Sequence, residues 1–262
     1  MLKDLTLRST FNEVAQLYDK IRPDYPEELF YELINQTKLN KDSKLIEIGA
    51  GTGQATISFA KHGYNIIANE LGKQLAEILE KNLKNYPTSQ VITGAFEDIQ
   101  LSNESFDMIY AATAFHWLKS EVKFLKPYQL LKQGGYLAII NGAQISDEIG
   151  DKFFHASQPI YNKYWQSDPD NPFTLKKLNE IKPAELDTKL FNLIYFNCFP
   201  RTILYTGDEY CELLNTDSEK LALTPDKRAC FLDEIKQLIN NYFSKGVSTH
   251  YANSLTIAKK IP

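Results

Sequence analysis

From position 44 onward, hydrophobic and polar positions follow two rhythms in turn. Short apolar runs, "KLIEIG", "YNIIANE", "QVITG", "SFDMIYAAT" and "YLAIIN", read as strands rich in isoleucine. Between them lie segments of helical period. "QATISFAKHG" stops at Gly63, and "GKQLAEILEKNLKNY" sets Leu75, Ile78, Leu79 and Leu83 on one stripe. "SEVKFLKPYQLLKQGG" reads as a helix ending at its glycine pair, with Pro127 inside it. This alternation predicts a parallel sheet covered on both faces. Upstream, Phe11, Val14, Ala15, Tyr18 and Ile21 recur at helical spacing behind a Thr10 cap. "RPDYP" then breaks the chain, and "EELFYELINQT" starts a second helix with its acids in the first turn.

Between about Ala143 and Lys189 the rhythm is interrupted by a segment carrying Phe153, Phe154, Tyr161, Tyr164, Trp165 and the turn-rich "SDPDNP". It reads as an insertion, or lid, over the strand ends. Beyond it come "FNLIYFNCFPRTILY", a helix at "GDEYCELL", a helix opened by Thr224–Pro225 and ended near Gly246, and a last strand "STHYANSLTIAKK" that joins the same sheet.

Composition narrows the function classes. With 262 residues, 43% hydrophobic and 24% charged, the chain is long and apolar enough to bury a substantial core. A net charge of −4 argues against a nucleic-acid partner. No apolar run approaches the roughly 20 residues of a membrane span, and "MLKDLTLRSTFNEV" lacks the apolar stretch of a secretory signal. Cys198, Cys211 and Cys230 form no CxxC pair and are odd in number, so neither a disulfide framework nor a metal site is expected. The expected setting is the cytoplasm, with no membrane partner.

The stretch "LIEIGAGTGQAT" carries the chemistry. A glycine turn leaving the first strand lies where open parallel sheets bind ligands. A triphosphate loop needs lysine and then Ser or Thr after its last glycine, yet Gly53 is followed by Gln54–Ala55. A dinucleotide fingerprint fails at Gln54, three positions after Gly51. Glu47 stands two residues before Gly49, where it would repel a pyrophosphate and suit a cationic ligand. Glu70 ends the second strand about twenty residues on, at the spacing of an acid that holds a ribose.

With Glu47, Gly49, Gly51 and Gly53 in the pattern E-x-G-x-G-x-G, the chain resembles the class I S-adenosylmethionine-dependent methyltransferases. The resemblance extends to Glu70, to "GAFEDI" after the third strand, and to "FDMIYAATAFHWL" and "GGYLAIIN". The leader "FNEVAQLYDKIRPDYP" is similar to that of bacterial and fungal small-molecule methyltransferases, including relatives of trans-aconitate methyltransferase. "YTGDEYCELLNTDSEKLALTP" is similar to bacterial members of the same group. The resemblance implies an α/β fold, a Rossmann-like mixed seven-stranded sheet flanked by helices with an inserted, mostly helical lid. It implies a helical cap over the cofactor at 1–40, a cofactor-binding core at 41–142, the lid at 143–190, and the completion of the sheet by 191–262. The implied cofactor is S-adenosylmethionine, leaving as S-adenosylhomocysteine. Its contacts are expected from the glycine turn with Glu47, from Glu70 and Leu71 at the ribose, and from Ala112. Phe96 and Glu97 are expected at the adenine, where Ala95 replaces the family's usual acid. Tyr18 and Arg22 are expected at the cofactor's carboxylate, which Arg binds well in a fork.

The acceptor is expected to be a small molecule. "Ala112–Thr113–Ala114–Phe115" lacks the prolines of the signature that nucleic-acid amine methylation carries in this family. His116, after the fourth strand, is the candidate base or acceptor-orienting group, with Trp117 walling the site. Two acceptor chemistries stay open: a protonated nucleophile needing a base, or a carboxylate needing none and wanting cations such as Arg22 or Arg201. Tyr161, Tyr164 and Trp165 are candidate walls of an apolar acceptor pocket. Two other readings compete: a nicotinamide-dependent oxidoreductase, disfavoured by Glu47 and Gln54, and a non-catalytic module that kept the cofactor fold.

Overall fold

In the computed structural model, which describes residues 5–146, 151–165 and 174–262, every apolar run of the first half becomes a strand of one sheet. The strands are β1 (Lys44–Ile48), β2 (Asn65–Glu70), β3 (Ser89–Thr93), β4 (Phe106–Ala112), β5 (Leu131–Gln144), β6 (Phe191–Tyr205) and β7 (Val247–Lys260). Their order is β3-β2-β1-β4-β5-β7-β6. The first five run parallel, and β7 pairs antiparallel with both β5 and β6. The fold is thus the expected Rossmann-like mixed seven-stranded sheet. Its strand order reverses between β1 and β4, so the carboxyl ends of these two strands open a crevice.

Strand side chains alternate, which divides the core into two layers. Leu45, Met108, Tyr110, Ile140 and Leu255 pack on one face against Leu29, Leu33, Phe59 and Leu79. These come from α2 (Glu27–Thr37), α3 (Thr56–Ala60) and α4 (Lys73–Asn82), which follow α1 (Ala15–Ile21) in the chain. Ile46, Ile48, Ile109 and Ile139 point the other way, toward Leu118, Phe124 and Leu130. That face is covered by α5 (Ser120–Lys123) and α6 (Leu125–Leu130). A third cluster forms around Phe231 and Ile235 of α10 (Pro225–Tyr242), with Phe153 of α7 (Asp151–Tyr164) and Tyr210 of α8 (Gly207–Leu214). The short α9 (Ser218–Leu221) joins α8 to α10.

Three local expectations are corrected. Thr10 caps no α-helix: it sits in a 3-10 segment, Leu5–Val14, and its hydroxyl donates to the Leu7 carbonyl. The predicted helix over 120–135 breaks at Phe124 and restarts at Leu125, which places Pro127 in a first turn, where its missing N–H costs nothing. The glycine pair does not end that helix but lies inside β5. Phe106 pairs with Leu131 and Met108 with Tyr136, so residues 132–135 bulge from the ladder. Gly134 adopts φ 75° there, and a Cβ on Gly135 would fall 3.0 Å from the Lys132 carbonyl oxygen. The "SDPDNP" stretch lies outside the described residues.

Candidate functional site

A cavity of about 270 Å³ opens over the carboxyl ends of β1, β2 and β4. Gly49 and Gly51 form its floor after β1, and Glu70 and Leu71 its side after β2. The loop after β3 contributes Gly94 to Glu97, and the end of β4 contributes Ala112, Thr113, Ala114, His116 and Trp117. Arg8, Phe11, Tyr18 and Arg22 cover it from the first helical segments, joined by Asp217 and Ser218.

The glycine turn is fixed by steric need. Gly49 has φ 67°, and a Cβ there would sit 2.6 Å from the Ala114 Cβ, so β1 and β4 approach through glycine alone. Thr113 answers from the other side with φ 57°, a costly conformation for a β-branched residue. It is held by its N–H to the Ile140 carbonyl (2.7 Å) and by a 2.9 Å hydrogen bond between its hydroxyl and that of Tyr25.

Glu70 is buried, and each of its oxygens accepts a backbone N–H: Gly51 at 2.8 Å and Gly72 at 2.7 Å. Burial raises its pKa against the opposing pull of those amides. The Gly51 N–H, which in a phosphate-binding turn would face the anion, is therefore spent on a carboxylate. The Gly53 N–H is spent likewise on the Ala50 carbonyl at 3.0 Å.

The loop after β3 is held by a residue that the sequence does not flag. Lys126 donates from Nζ to the carbonyls of Phe96 (2.6 Å), Glu97 (3.1 Å) and Ile99 (2.6 Å). This fixes Glu97, 4% exposed, with Oε1 accepting from Arg8 at 2.6 Å and from the Lys119 N–H at 3.3 Å. Its Oε2 is buried without a partner. Burial pushes the Glu97 pKa up, but its own amide, Arg8 and Lys119 outweigh this, and the net shift is downward. An ionised carboxylate with one unused buried oxygen lines the cavity.

Several expected site residues lie elsewhere. Glu47 does not line this cavity. It is 1% exposed beneath the turn, where its Oε2 accepts from Thr56 (2.5 Å) and Tyr110 (2.8 Å). Burial pushes its pKa up to about 8. Strand alternation explains the placement, since Glu47 shares the face of Leu45 and not that of Ile48. Gly53 also lies outside, with φ 107° and close to Leu79 and Ile57. Arg22 is engaged: Nε donates to the Thr216 hydroxyl at 2.8 Å and Nη2 to the Thr216 carbonyl, while its guanidinium lies 5.1 Å over the Tyr18 ring. Tyr18 remains at the turn, its pKa raised by burial. His116 and Trp117 form a 3-10 turn with Phe115, their rings 5.0 Å apart.

Tyr161 and Trp165 line a separate chamber of about 480 Å³ with Phe153, Phe154 and Tyr210. Arg201 lines a third space of about 160 Å³ between the two, with Tyr25, Glu47, Gln54, Thr113 and Tyr251. Sequence reasoning missed Arg8, Asn69, Lys126 and the Asp217–Ser218 corner, which contact through the fold alone. Among the described residues there is no cluster of metal-ligating side chains, and no helix is long and apolar enough to cross a membrane.

Comparison with known proteins agrees with this geometry. A family profile described as a methyltransferase domain matches residues 46–139. An uncharacterised methyltransferase-like protein of Schizosaccharomyces pombe is 26% identical over 91% of this chain and 90% of its own. A malonyl-[acyl-carrier protein] O-methyltransferase of a Marinomonas species is 23% identical over 97% of this chain and 93% of its own. Phosphoethanolamine N-methyltransferase 2 of Haemonchus contortus, solved in complex with phosphomonomethylethanolamine and S-adenosylhomocysteine, shares the fold. Its TM-score is 0.54 at 14% identity, over 100% of this chain and 60% of that one.

Proposed function

Because this chain belongs to the class I methyltransferases, we propose that its cavity over β1, β2 and β4 binds S-adenosylmethionine and serves methyl transfer to a small-molecule acceptor. One observation supports this most. The cavity brings Glu97 and the carboxylate of Glu70 to the wall of one space, while the turn amides of Gly51 and Gly53 are already bonded. A pyrophosphate would find the Gly51 and Gly53 amides already bonded and two acids beside them, whereas an adenosine finds acceptors for its amine and its hydroxyls.

In this reading Glu97 accepts from the adenine amine and replaces the acid missing at Ala95. Glu70 keeps acceptor capacity on both oxygens beyond its two backbone bonds, and takes the ribose hydroxyls. Phe96 and Leu71 wall the base and sugar. Gly49, Gly51, Ala112 and Tyr18 flank the methionine portion, and Glu47 acts from beneath the turn. Arg22 serves mainly to fasten the cover through Thr216. The segment 1–40 is the cap, 41–142 the cofactor core, 143–190 the inserted lid over the strand ends, and 191–262 the completion of the sheet.

The cofactor supplies a methyl on a cationic sulfur that leaves as a neutral thioether. The chain's own task is to align the acceptor and exclude water. His116, on the cavity wall after β4, is the base when the acceptor carries a proton, and orients the acceptor otherwise. The test is calorimetry of the full chain with S-adenosylhomocysteine and with NAD. S-adenosylhomocysteine binds and NAD does not; binding of NAD alone would reverse the assignment. Cofactor binding with no methyl transfer across acids, phenols and amines would make the chain a binding module.

A further inference from the structure

Beyond the cofactor cavity, two further spaces follow it in series through shared walls. The middle space shares Gly49, Ala112, Thr113 and Gly142 with the cofactor cavity, and Arg22, Gln144 and Tyr251 with the aromatic chamber. Arg201 lines the middle space. It pairs with Tyr251 across β6 and β7, and Tyr251 pairs with Gln144 of β5, so the three form one row of the sheet. Two positions inward on the same face the row is Phe199, Asn253 and Gly142, where Phe199 already packs against the core.

Arg201 makes no ion pair among the described residues, and its Nε is buried with no hydrogen-bond partner. Asp24 acts on it only at a distance, without forming an ion pair, so the partly buried guanidinium lacks a contact partner and a bound anion would supply one. Arg22 is less available for the role, since two of its nitrogens are tied to Thr216. One free guanidinium therefore meets one carboxylate. Past it the walls are rings: Phe153, Phe154, Tyr161, Trp165 and Tyr210. The cations and acids at this end neutralise one another, with Lys220 at 3.5 Å from both Asp217 and Glu219 and its ammonium over the Tyr161 and Trp165 rings.

We propose that the acceptor is a monocarboxylic acid with an apolar body, its carboxylate held by Arg201 and its alkyl or aryl part lodged in the aromatic chamber. This rests on the methyltransferase reading and adds the substrate class to it. A small polyacid would leave charges among the rings, and an amine would face Arg201 with like charge. The reaction is esterification. A carboxylate oxygen gives its electron pair to the methyl carbon as the carbon–sulfur bond breaks, and the bonding pair stays on sulfur. No proton moves, and a carboxylate plus a sulfonium become a neutral ester and a neutral thioether. His116 then orients the acceptor and does not act as base.

The experiment is titration calorimetry of the full chain saturated with S-adenosylhomocysteine, using straight-chain acids from butanoate to decanoate, octanamide and citrate. Affinity rises with chain length, octanamide binds at least about tenfold more weakly than octanoate, and citrate does not compete. Arg201→Gln weakens octanoate about tenfold or more, while S-adenosylhomocysteine affinity stays within about twofold. Affinity flat along the series, octanamide binding as tightly as octanoate, or equal loss of both ligands in Arg201→Gln would each overturn the proposal. The chain-length series needs no variant and stands whether or not Arg201→Gln folds. Failure of S-adenosylhomocysteine to bind the unaltered chain would instead overturn the function proposed above.

Discussion

Arg8 Nη1 lies 2.6 Å from Glu97 Oε1, a pairing across 89 residues that leaves the other carboxylate oxygen unused and buried. The cover of the cavity and the polar group that would read the adenine are thereby one device. Glu97→Ala is expected to lower S-adenosylhomocysteine affinity by roughly 1–3 kcal/mol, about ten- to a hundredfold, with little change in melting temperature. Arg8→Ala should weaken binding less, because the Lys119 N–H still holds Glu97. Calorimetry on the two variants and the double variant measures the coupling; strictly additive losses would show that Arg8 does not act through Glu97.

Glu47 gives a pH prediction whose sign is fixed. Its carboxyl holds a proton in the folded chain up to about pH 8, against an ordinary value of 4.5. Between these values the folded state binds more protons than the unfolded state, so stability is greatest below pH 4.5 on this account and is lost as pH rises through 8. Melting of the ligand-free chain should therefore fall between pH 5 and 8. Glu47→Gln should flatten the slope, leaving the part due to Glu70, whose pKa is also raised by burial. An unchanged slope in Glu47→Gln would refute this account.

The approach of β1 to β4 can be tested by steric complementation. Gly49→Ala places a methyl 2.6 Å from the Ala114 Cβ on a backbone at φ 67°. A loss of about 1–3 kcal/mol in denaturant unfolding is expected, with weaker cofactor binding. Ala114→Gly in the same chain should recover the clash but not the backbone strain, so rescue is partial. Full rescue would mean that the left-handed conformation costs nothing.

Lys126 offers a test away from any ligand contact. Lys126→Met keeps an unbranched side chain of similar length but removes the ammonium that lies over the Phe96 ring and frees three carbonyls. Hydrogen exchange should quicken at residues 94–99, and S-adenosylhomocysteine affinity should drop about tenfold. Unchanged exchange in that loop would place its rigidity elsewhere.

The strand and helix alternation from 44 to 141 could be read directly, because buried parallel strands and amphipathic helices leave periods of their own. Gly49, Gly51, Glu70, Phe96 and Glu97 were legible for the same reason: each sits at a fixed offset from a strand end. What the sequence hid depends on contacts between distant segments. Nothing local marks Lys126 as the clasp of the loop after β3, or Thr216 as the anchor of Arg22. Glu47 looked like a ligand contact because its spacing from the turn is right, yet strand alternation turns it beneath the turn. The glycines at 134 and 135 looked like a helix stop because a bulge in a strand uses the same residue.

The place of β7 between β5 and β6 has a consequence for how the protein is made. Among the described residues, β6 has no neighbour in the sheet other than β7, and β5 offers its outer edge to β7 alone. Translation delivers β6 before β7. The nascent polypeptide must therefore carry an open strand edge on β5, and a fifteen-residue β6 with Leu193, Ile194 and Leu204 on its surface, until a later segment threads between them. The interval in which this chain is most exposed to mispairing is set by ribosome speed over residues 206–246.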